Sequence, residues 1–403
     1  MRNNYLVKLV KYIKKVYGIE ERLNELIDGR VNPTYKTGRV MQVLLLGFLL
    51  RIQSLNELNC MLKEREFNNI FPKGTKLPLV DTIRDTIKTI NIKGIREILK
   101  SINKKAIRNK IYDKGTIDGY VVAAIDGTKL FGSYEKCCSL CLTTIIKGKN
   151  YYYHSGVVMT LIGEGVKLVL DYEMYNPKID SSKKDEGELN AAKRLLTRAT
   201  SEYKRFVDIV VYDALAANSV WINHCKECEI DVIVRVKNNY NNSLKEIKRL
   251  TNKKEVSEVW VKGHDKIEVY ESLFNLKGVE QKLRYVKYAI ANTNRKRNQI
   301  LIITSCLELS LKTVYKMIKA RWNIENCIFN NLKTEAGLKH CFVHSGNAIE
   351  AIVGMIFIAS NLFQLFKLRR IKNQVRIQKE LIRLLLKGLY LLEYDKELIF
   401  DTG

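Results

Sequence analysis

Two short runs, far apart in the chain, are apolar at every position and close on an aspartate. Tyr120–Ile125 leads into Asp126-Gly127-Thr128, and Ile209–Tyr212 leads into Asp213. A strand that is apolar throughout, without alternation, must be covered on both faces. Between the two runs lie Tyr151–Ile162 and Lys167–Tyr175, rich in β-branched and aromatic residues and read as strands. A helix follows near Asp185–Lys204, with Leu189, Ala192, Leu195, Leu196 and Ala199 on one face. After Asp213 come a short helix over Ala214–Cys225 and a fifth strand over Val232–Val236.

The order of three strands, helix, strand, helix, strand is that of an α/β, ribonuclease-H-like core. Residues 1–115 read as an all-helical domain, with apolar residues at helical spacing in Tyr5–Tyr17, Val40–Leu62 and Ile95–Ile102. Its end carries Lys104, Lys105, Arg108, Lys110 and Lys114 against Asp113. Such a unit reads either as a DNA-binding module or as a packing domain with a solvated basic face. Residues 116–239 form the first part of the core. Residues 240–305 alternate apolar and polar in Val256–Val261, Lys266–Phe274, Lys282–Ile290 and Ile300–Thr304. They read as an antiparallel, β-rich insertion separate from the parallel core. Residues 306–366 are the second part of the core, with a helix from Leu311 through Glu325 to Leu332 and an apolar helix over Ala348–Phe366. Residues 367–403 read as a basic helical tail, in which Leu381–Leu392 is a candidate dimer contact.

The chain of 403 residues carries a net charge of +26, which calls for a polyanionic partner or reflects a lysine-rich proteome. The apolar runs Val43–Leu50 and Ala351–Ala359 fall short of the roughly 18–20 residues of a membrane span. Met1 to Lys15 has no apolar segment of signal-peptide type. The expectation is a cytoplasmic protein without a membrane partner. Nine cysteines are then reduced thiols. Two Cys-x-x-Cys pairs, Cys138/Cys141 and Cys225/Cys228, have the spacing of zinc ligands. The second lies on a predicted helix and the pairs are far apart, so buried thiols are the preferred reading over a shared site.

Asp126 and Asp213 would share one sheet edge, about 5 Å apart, if their strands are parallel neighbours. Two carboxylates there repel unless a cation lies between them, and hard oxygen ligands suit Mg²⁺ or Mn²⁺. The plainer role, capping a following helix, fits Asp213 but not Asp126, where Gly127-Thr128 opens a turn. Glu325 is the third carboxylate. Arg321 precedes it by one helical turn, Trp322 and Ile324 flank it, and it is one of two acids among six bases between Lys312 and Lys339.

The runs Ala124-Ile125-Asp126-Gly127-Thr128, Val210-Val211-Tyr212-Asp213-Ala214 and Arg321-Trp322-Asn323-Ile324-Glu325 resemble the DDE transposases of bacterial insertion sequences. The branch resembled has a β-strand insertion before the catalytic Glu and a Tyr-Arg-Glu-Lys signature. Arg321 and Glu325 match that signature. Its Tyr position falls on Ile318 and its Lys position on Leu332, with Tyr315 a turn earlier and Lys333 one residue later. The resemblance, over residues 116–366, implies a transposase whose Asp126, Asp213 and Glu325 bind two Mg²⁺ ions, with Mn²⁺ able to substitute. One ion would activate water and then a DNA 3′-OH, and the other would stabilise the leaving oxygen. Arg321, Lys333 and Tyr315 would hold DNA phosphates. The implied partners are double-stranded DNA with terminal inverted repeats and target DNA, met by a homodimer in the bacterial nucleoid. A metal-dependent nuclease or resolvase of the same fold is the alternative, and a catalytically decayed DNA-binding regulator another.

Remaining residues draw lesser readings. Trp260 could stack a flipped base, though a strand Trp is usually core packing. His340 and His344, near Cys341, are read as loop or structural residues after Gly337, and His154 as a strand residue without chemistry. Lys129 is either a phosphate contact or a surface residue. Asp208 and Asp231 begin strands and read as turn residues.

Overall fold

The computed structural model describes residues 4–178, 185–237, 242–292, 297–371 and 378–392. The expected domain boundary at 239/240, Lys372 and Arg376 of the basic stretch, and 393–403 of the tail lie outside them.

The N-terminal part is helical, as read: α1 (Tyr5–Tyr17), α2 (Ile19–Asn24), α3 (Thr37–Leu49), α4 (Leu55–Met61), α5 (Arg65–Asn68), α6 (Val80–Thr89) and α7 (Ile92–Arg108). The core follows with β1 (Val122–Ser133), β2 (Leu142–Ile146), β3 (Lys149–Leu161), β4 (Val169–Met174), α8 (Glu188–Tyr203), β5 (Ile209–Tyr212), α9 (Ser219–Glu227) and β6 (Asp231–Val236). Next come α10 (Asn242–Thr251), β7 (Glu258–Lys262), β8 (Asp265–Phe274), β9 (Leu283–Asn292) and β10 (Arg297–Thr304). The chain continues through α11 (Leu311–Ala320), a π-helical turn at Ile324–Phe329, α12 (Asn330–Thr334), α13 (Gly346–Arg370) and α14 (Gln378–Tyr390).

The strands form one ten-stranded sheet in the order β2-β3-β1-β5-β6-β10-β9-β8-β7, with β4 also pairing β3. β1, β5 and β6 are mutually parallel, and β3 is antiparallel to β1. This is the ribonuclease-H-like arrangement. Every residue of β5 is buried, as two covered faces require. The antiparallel strands after residue 240 correct one expectation: they are not a sheet apart. β10 pairs antiparallel with β6 from Leu301↔Val236 to Thr304↔Ile233, so the insertion extends the core sheet.

α13 is longer than its apolar run suggested. By length and composition it could cross a membrane, yet 83% of its most apolar window is buried inside the protein. It is the helix onto which the N-terminal domain packs. A Cβ at Gly354 would come within 2.5 Å of the Tyr172 hydroxyl and 2.6 Å of Ile95, so β4 and α7 close on it only because that residue is glycine. Arg96 of α7 reaches Asp171 of β4 at 3.2 Å and Glu350 of α13 at 2.6 Å. Arg198 of α8 meets Asp171 and Glu173, each at 2.6 Å. The charges inside this junction are therefore paired, as partly buried charges must be. α14 does not stand off as a tail. Leu381, Leu385 and Leu389 are fully buried, and Asn4 of the α1 cap donates to the Gly388 carbonyl at 2.7 Å. The apolar face read as a dimer contact is thus covered by the chain itself.

Candidate active site

The parallel pairing of β1 with β5 runs Ala123↔Val210 and Ala124↔Val211. Two residues further, Asp126 and Asp213 stand level at one edge of the sheet. Asp126 is not at a strand end, as the sequence suggested: β1 continues to Ser133, paired with β3. Its Oδ1 accepts the Gly127 N–H at 3.0 Å, and Oδ2 faces Arg321 at 3.7 Å. Asp213 does cap, accepting the Leu215 N–H at 2.8 Å on Oδ1.

Glu325 arrives on the π-helical turn, where the helix begun by α11 is locally widened. Such turns re-aim side chains and recur at functional sites. Arg321 donates to Glu325 at 3.1 Å, so one guanidinium lies between the first and third acids. Arg321 is buried, and the Glu325 side chain is half exposed. Asp118 anchors α11 from the start of the core, accepting from Thr313 at 2.8 Å and Lys316 at 2.6 Å.

Burial pushes the Asp126 carboxyl up to about 7, against the pull of Arg321 and with Glu325, Glu188 and Asp213 adding like charge. Burial and Lys339 lower the Lys333 ammonium, while Asp126 and Glu325 favour its charge. Lys333 thus feels the acids' charge, while its ammonium lies over the Phe329 ring at 5.2 Å. Tyr315 is taken elsewhere. Its ring is buried against Trp260 and Tyr288, with Lys262 and Lys319 above it at 5.7 and 5.6 Å. Trp260 is engaged in the same cluster, in line with core packing. Lys129 lies over the Tyr153 ring.

A fourth acid, Glu188, went unread in the sequence. It accepts the Tyr212 hydroxyl at 2.9 Å and the Tyr175 hydroxyl at 3.1 Å, and burial raises its carboxyl. A Cβ on Gly127 would come within 2.2 Å of its Oε2, so the glycine after Asp126 makes room for it. The signal was present: Glu188 precedes Ala191, Ala192 and Leu195 by three, four and seven residues. That puts a carboxylate on the buried stripe of α8.

Asp208 and Asp231 act as local ties, accepting from the Val121 N–H at 2.6 Å and the Ser305 hydroxyl at 2.7 Å. They line a hollow of about 700 Å³ at the opposite, amino-terminal edge of these strands, to which Asp126, Asp213, Glu325 and Glu188 do not contribute.

A family model for the transposase DDE domain matches residues 119–362. The chain belongs to the transposase DDE-domain family. No curated protein matches it. The match spans the core, the β-rich strands after residue 240 and most of α13. Membership supports DNA cleavage of the transposase type in general, and members of this family generally use divalent metal ions. The carboxylates of this family member fit a hard cation: they offer oxygen donors only, and Arg321 is the positive charge between two of them.

Proposed function

We propose that the chain is a cut-and-paste transposase that cleaves DNA at the ends of an insertion sequence and joins the freed 3′-OH to target DNA. The observation that carries this reading is the convergence of Asp126, Asp213 and the Glu325 turn at one sheet edge, bridged by Arg321. In this reading Asp126, Asp213 and Glu325 hold two Mg²⁺ ions, with Mn²⁺ as substitute. Such ions supply Lewis acidity and an activated oxygen nucleophile.

The protein's own groups do the rest. Arg321 offsets the repulsion between Asp126 and Glu325 and, being planar and always charged, is suited to grip a phosphate beside them. Lys333 adds a second cation at the acids. Tyr315 contributes indirectly, as the ring beneath Lys262 and Lys319. Lys319 also lies over Trp322, as does Arg235, so cations from β6, β7 and α11 share one surface. The basic end of α7 meets that of α13, where Arg369 donates to the Asn109 carbonyl at 2.8 Å. The basic carboxyl-terminal turns of α7 and α13 thus meet, a junction suited to a duplex backbone. Two DNA ends are handled by two copies of the chain, in the cytoplasm where the chromosome lies.

The test is a cleavage assay on DNA carrying the element's ends, with Mg²⁺, Ca²⁺ or EDTA, beside Asp126→Asn, Asp213→Asn and Glu325→Gln. Mg²⁺-dependent nicking and strand joining, lost in all three variants with DNA binding retained, is expected. Nicking without joining would shift the reading to a nuclease or resolvase. Binding without cutting by the wild type would make the chain a regulator.

A further inference from the structure

Outside the acid site, one cluster of metal-ligating side chains stands apart among the described residues. Cys138, Cys141, His154 and His344 bring two sulfurs and two ring nitrogens together, all within 4.8 Å of one another. The Cys138 and Cys141 sulfurs are 3.7 Å apart. His154 Nε2 lies 3.4 Å from Cys138 Sγ and 3.2 Å from Cys141 Sγ, and His344 Nε2 lies 3.2 Å from Cys141 Sγ.

These distances have a simple meaning. With bonds of about 2.3 Å to sulfur and about 2.05 Å to nitrogen, a tetrahedral zinc site has S···S edges of about 3.75 Å and S···N edges of about 3.5 Å. The sulfur pair matches that edge, and the sulfur–nitrogen contacts lie within a few tenths of an ångström of it. We infer that Cys138, Cys141, His154 and His344 form a structural Zn²⁺ site, independent of the carboxylate site.

The surroundings are those of a closed site. Cys141 and His154 are buried. The Phe131 ring packs on both imidazoles, with centroids at 5.4 and 5.7 Å. The Cys138 N–H donates to Cys141 Sγ at 3.2 Å, and the Cys141 N–H to the Cys138 carbonyl at 3.0 Å. The first bond favours a thiolate and the pair fixes the Cys-x-x-Cys turn. Two thiolates and two imidazoles, with no open position, are a structural zinc set rather than a catalytic one. Neighbouring Cys137 is exposed, and its thiol contacts the Cys138 carbonyl instead.

The ligands come from three places: the loop after β1, strand β3, and the segment that leads from the Glu325 turn into α13. Leu140 of the loop fills the space a Cβ on Gly346 would take. Zinc would therefore clip the strands bearing Asp126 to the late segment that carries Glu325, across a chain separation of 203 residues. The second Cys-x-x-Cys pair takes no part. Cys225 is buried, and Cys228 lies beside His224 at 3.7 Å.

The full chain, dialysed against buffer containing Mg²⁺, is measured for zinc by inductively coupled plasma mass spectrometry. One zinc per chain is expected in the wild type, in Cys225→Ser/Cys228→Ser, and in Glu325→Gln. None is expected in Cys138→Ser/Cys141→Ser or His154→Gln/His344→Gln. As ligand variants can misfold, the wild type is also loaded with Co²⁺ in place of zinc. The intense visible bands and thiolate charge transfer of a tetrahedral S₂N₂ site are expected. A zinc-free wild type whose Cys138 and Cys141 alkylate freely, a weak six-coordinate cobalt spectrum, or zinc that leaves with Cys225 and Cys228 would each overturn the assignment.

Discussion

The oxygen site is built on β1 and β5 and the sulfur–nitrogen site on the loop after β1 and on β3; both are closed by the same late stretch of chain, yet they are built to opposite rules. Asp126, Asp213 and Glu325 are like charges at an open sheet edge, with Arg321 between two of them and Asp126 pushed up to about 7 by burial. Cys138, Cys141, His154 and His344 already sit close together, with sulfur–sulfur and sulfur–nitrogen separations near those of a tetrahedral site. In the proposed reading, a set of acids under charge stress is suited to bind a cation that relieves it. A set at rest in its final geometry serves to hold the fold. The difference is one of electrostatic strain, not of how many ligands each can offer.

The sharpest division is functional. Asp213→Asn and Glu325→Gln should reduce DNA cleavage to the assay background and leave zinc content at one per chain. Cleavage by end-labelled DNA and zinc by mass spectrometry read the two sites separately. A variant of either acid that also sheds zinc would merge the sites and break the comparison.

Stability should divide the other way. Removing zinc with a thiol- and imidazole-competing chelator should lower the melting temperature by several degrees, on the order of 2 °C for each kcal/mol of lost binding energy. Added Mg²⁺ should not restore it. Calorimetry with and without each metal makes the check, and recovery by Mg²⁺ would mean that the fold leans on the acid site instead.

Charge stress at Asp126 gives a pH dependence whose sign follows from its direction. The folded carboxyl titrates near 7 and the unfolded one near 3.8. The unfolded state therefore releases its proton first, and the penalty is absent below about pH 4, grows through the interval and is complete above about 7. Asp126→Asn should thus stabilise the Mg²⁺-free protein by on the order of 2–4 kcal/mol at pH 8 and have little effect at pH 4. Denaturant melts at the two pH values test it. Mg²⁺ affinity of the wild type should rise with pH up to about 7 and level off above it, because below about 7 the cation must displace the Asp126 proton.

Local patterns carried the strands and the helices, and they drew attention to Asp126 and Asp213, because apolar runs and the carboxylates that follow them are short-range signals. β10 joining β6 was not legible, since Ile300–Thr304 alternates in the same way whether it extends the core or forms its own sheet. Nor was the zinc set: Cys138 and Cys141 announce themselves by spacing, but His344 meets them only after the chain has closed around α13. Tyr315 misled for a related reason. A ring near a signature position says nothing of the face on which it lies, and here Trp260 and Tyr288 claim it. Glu188 was missed although its place on the apolar stripe of α8 marks it.

Glu188 sharpens the comparison at its finest scale, because it belongs to the strained site without being one of its three acids. Its carboxylate accepts two tyrosine hydroxyls and presses against Gly127, so it fixes the backbone that carries Asp126. Glu188→Gln keeps one carbonyl oxygen and turns the other acceptor into a donor facing a hydroxyl. The cost should be about 1–2 kcal/mol in stability. The telling readout is the Mg²⁺ concentration for half-maximal cleavage. It should shift by up to about tenfold, as for a group that orients a metal ligand, while the cleavage rate at saturating Mg²⁺ changes less. Tyr212→Phe, which removes one hydroxyl and leaves the charge, should give a smaller shift in the same direction. If both variants lose stability but keep the Mg²⁺ midpoint of the wild type, Glu188 is packing for α8 and the strained site ends at Asp126, Asp213 and Glu325.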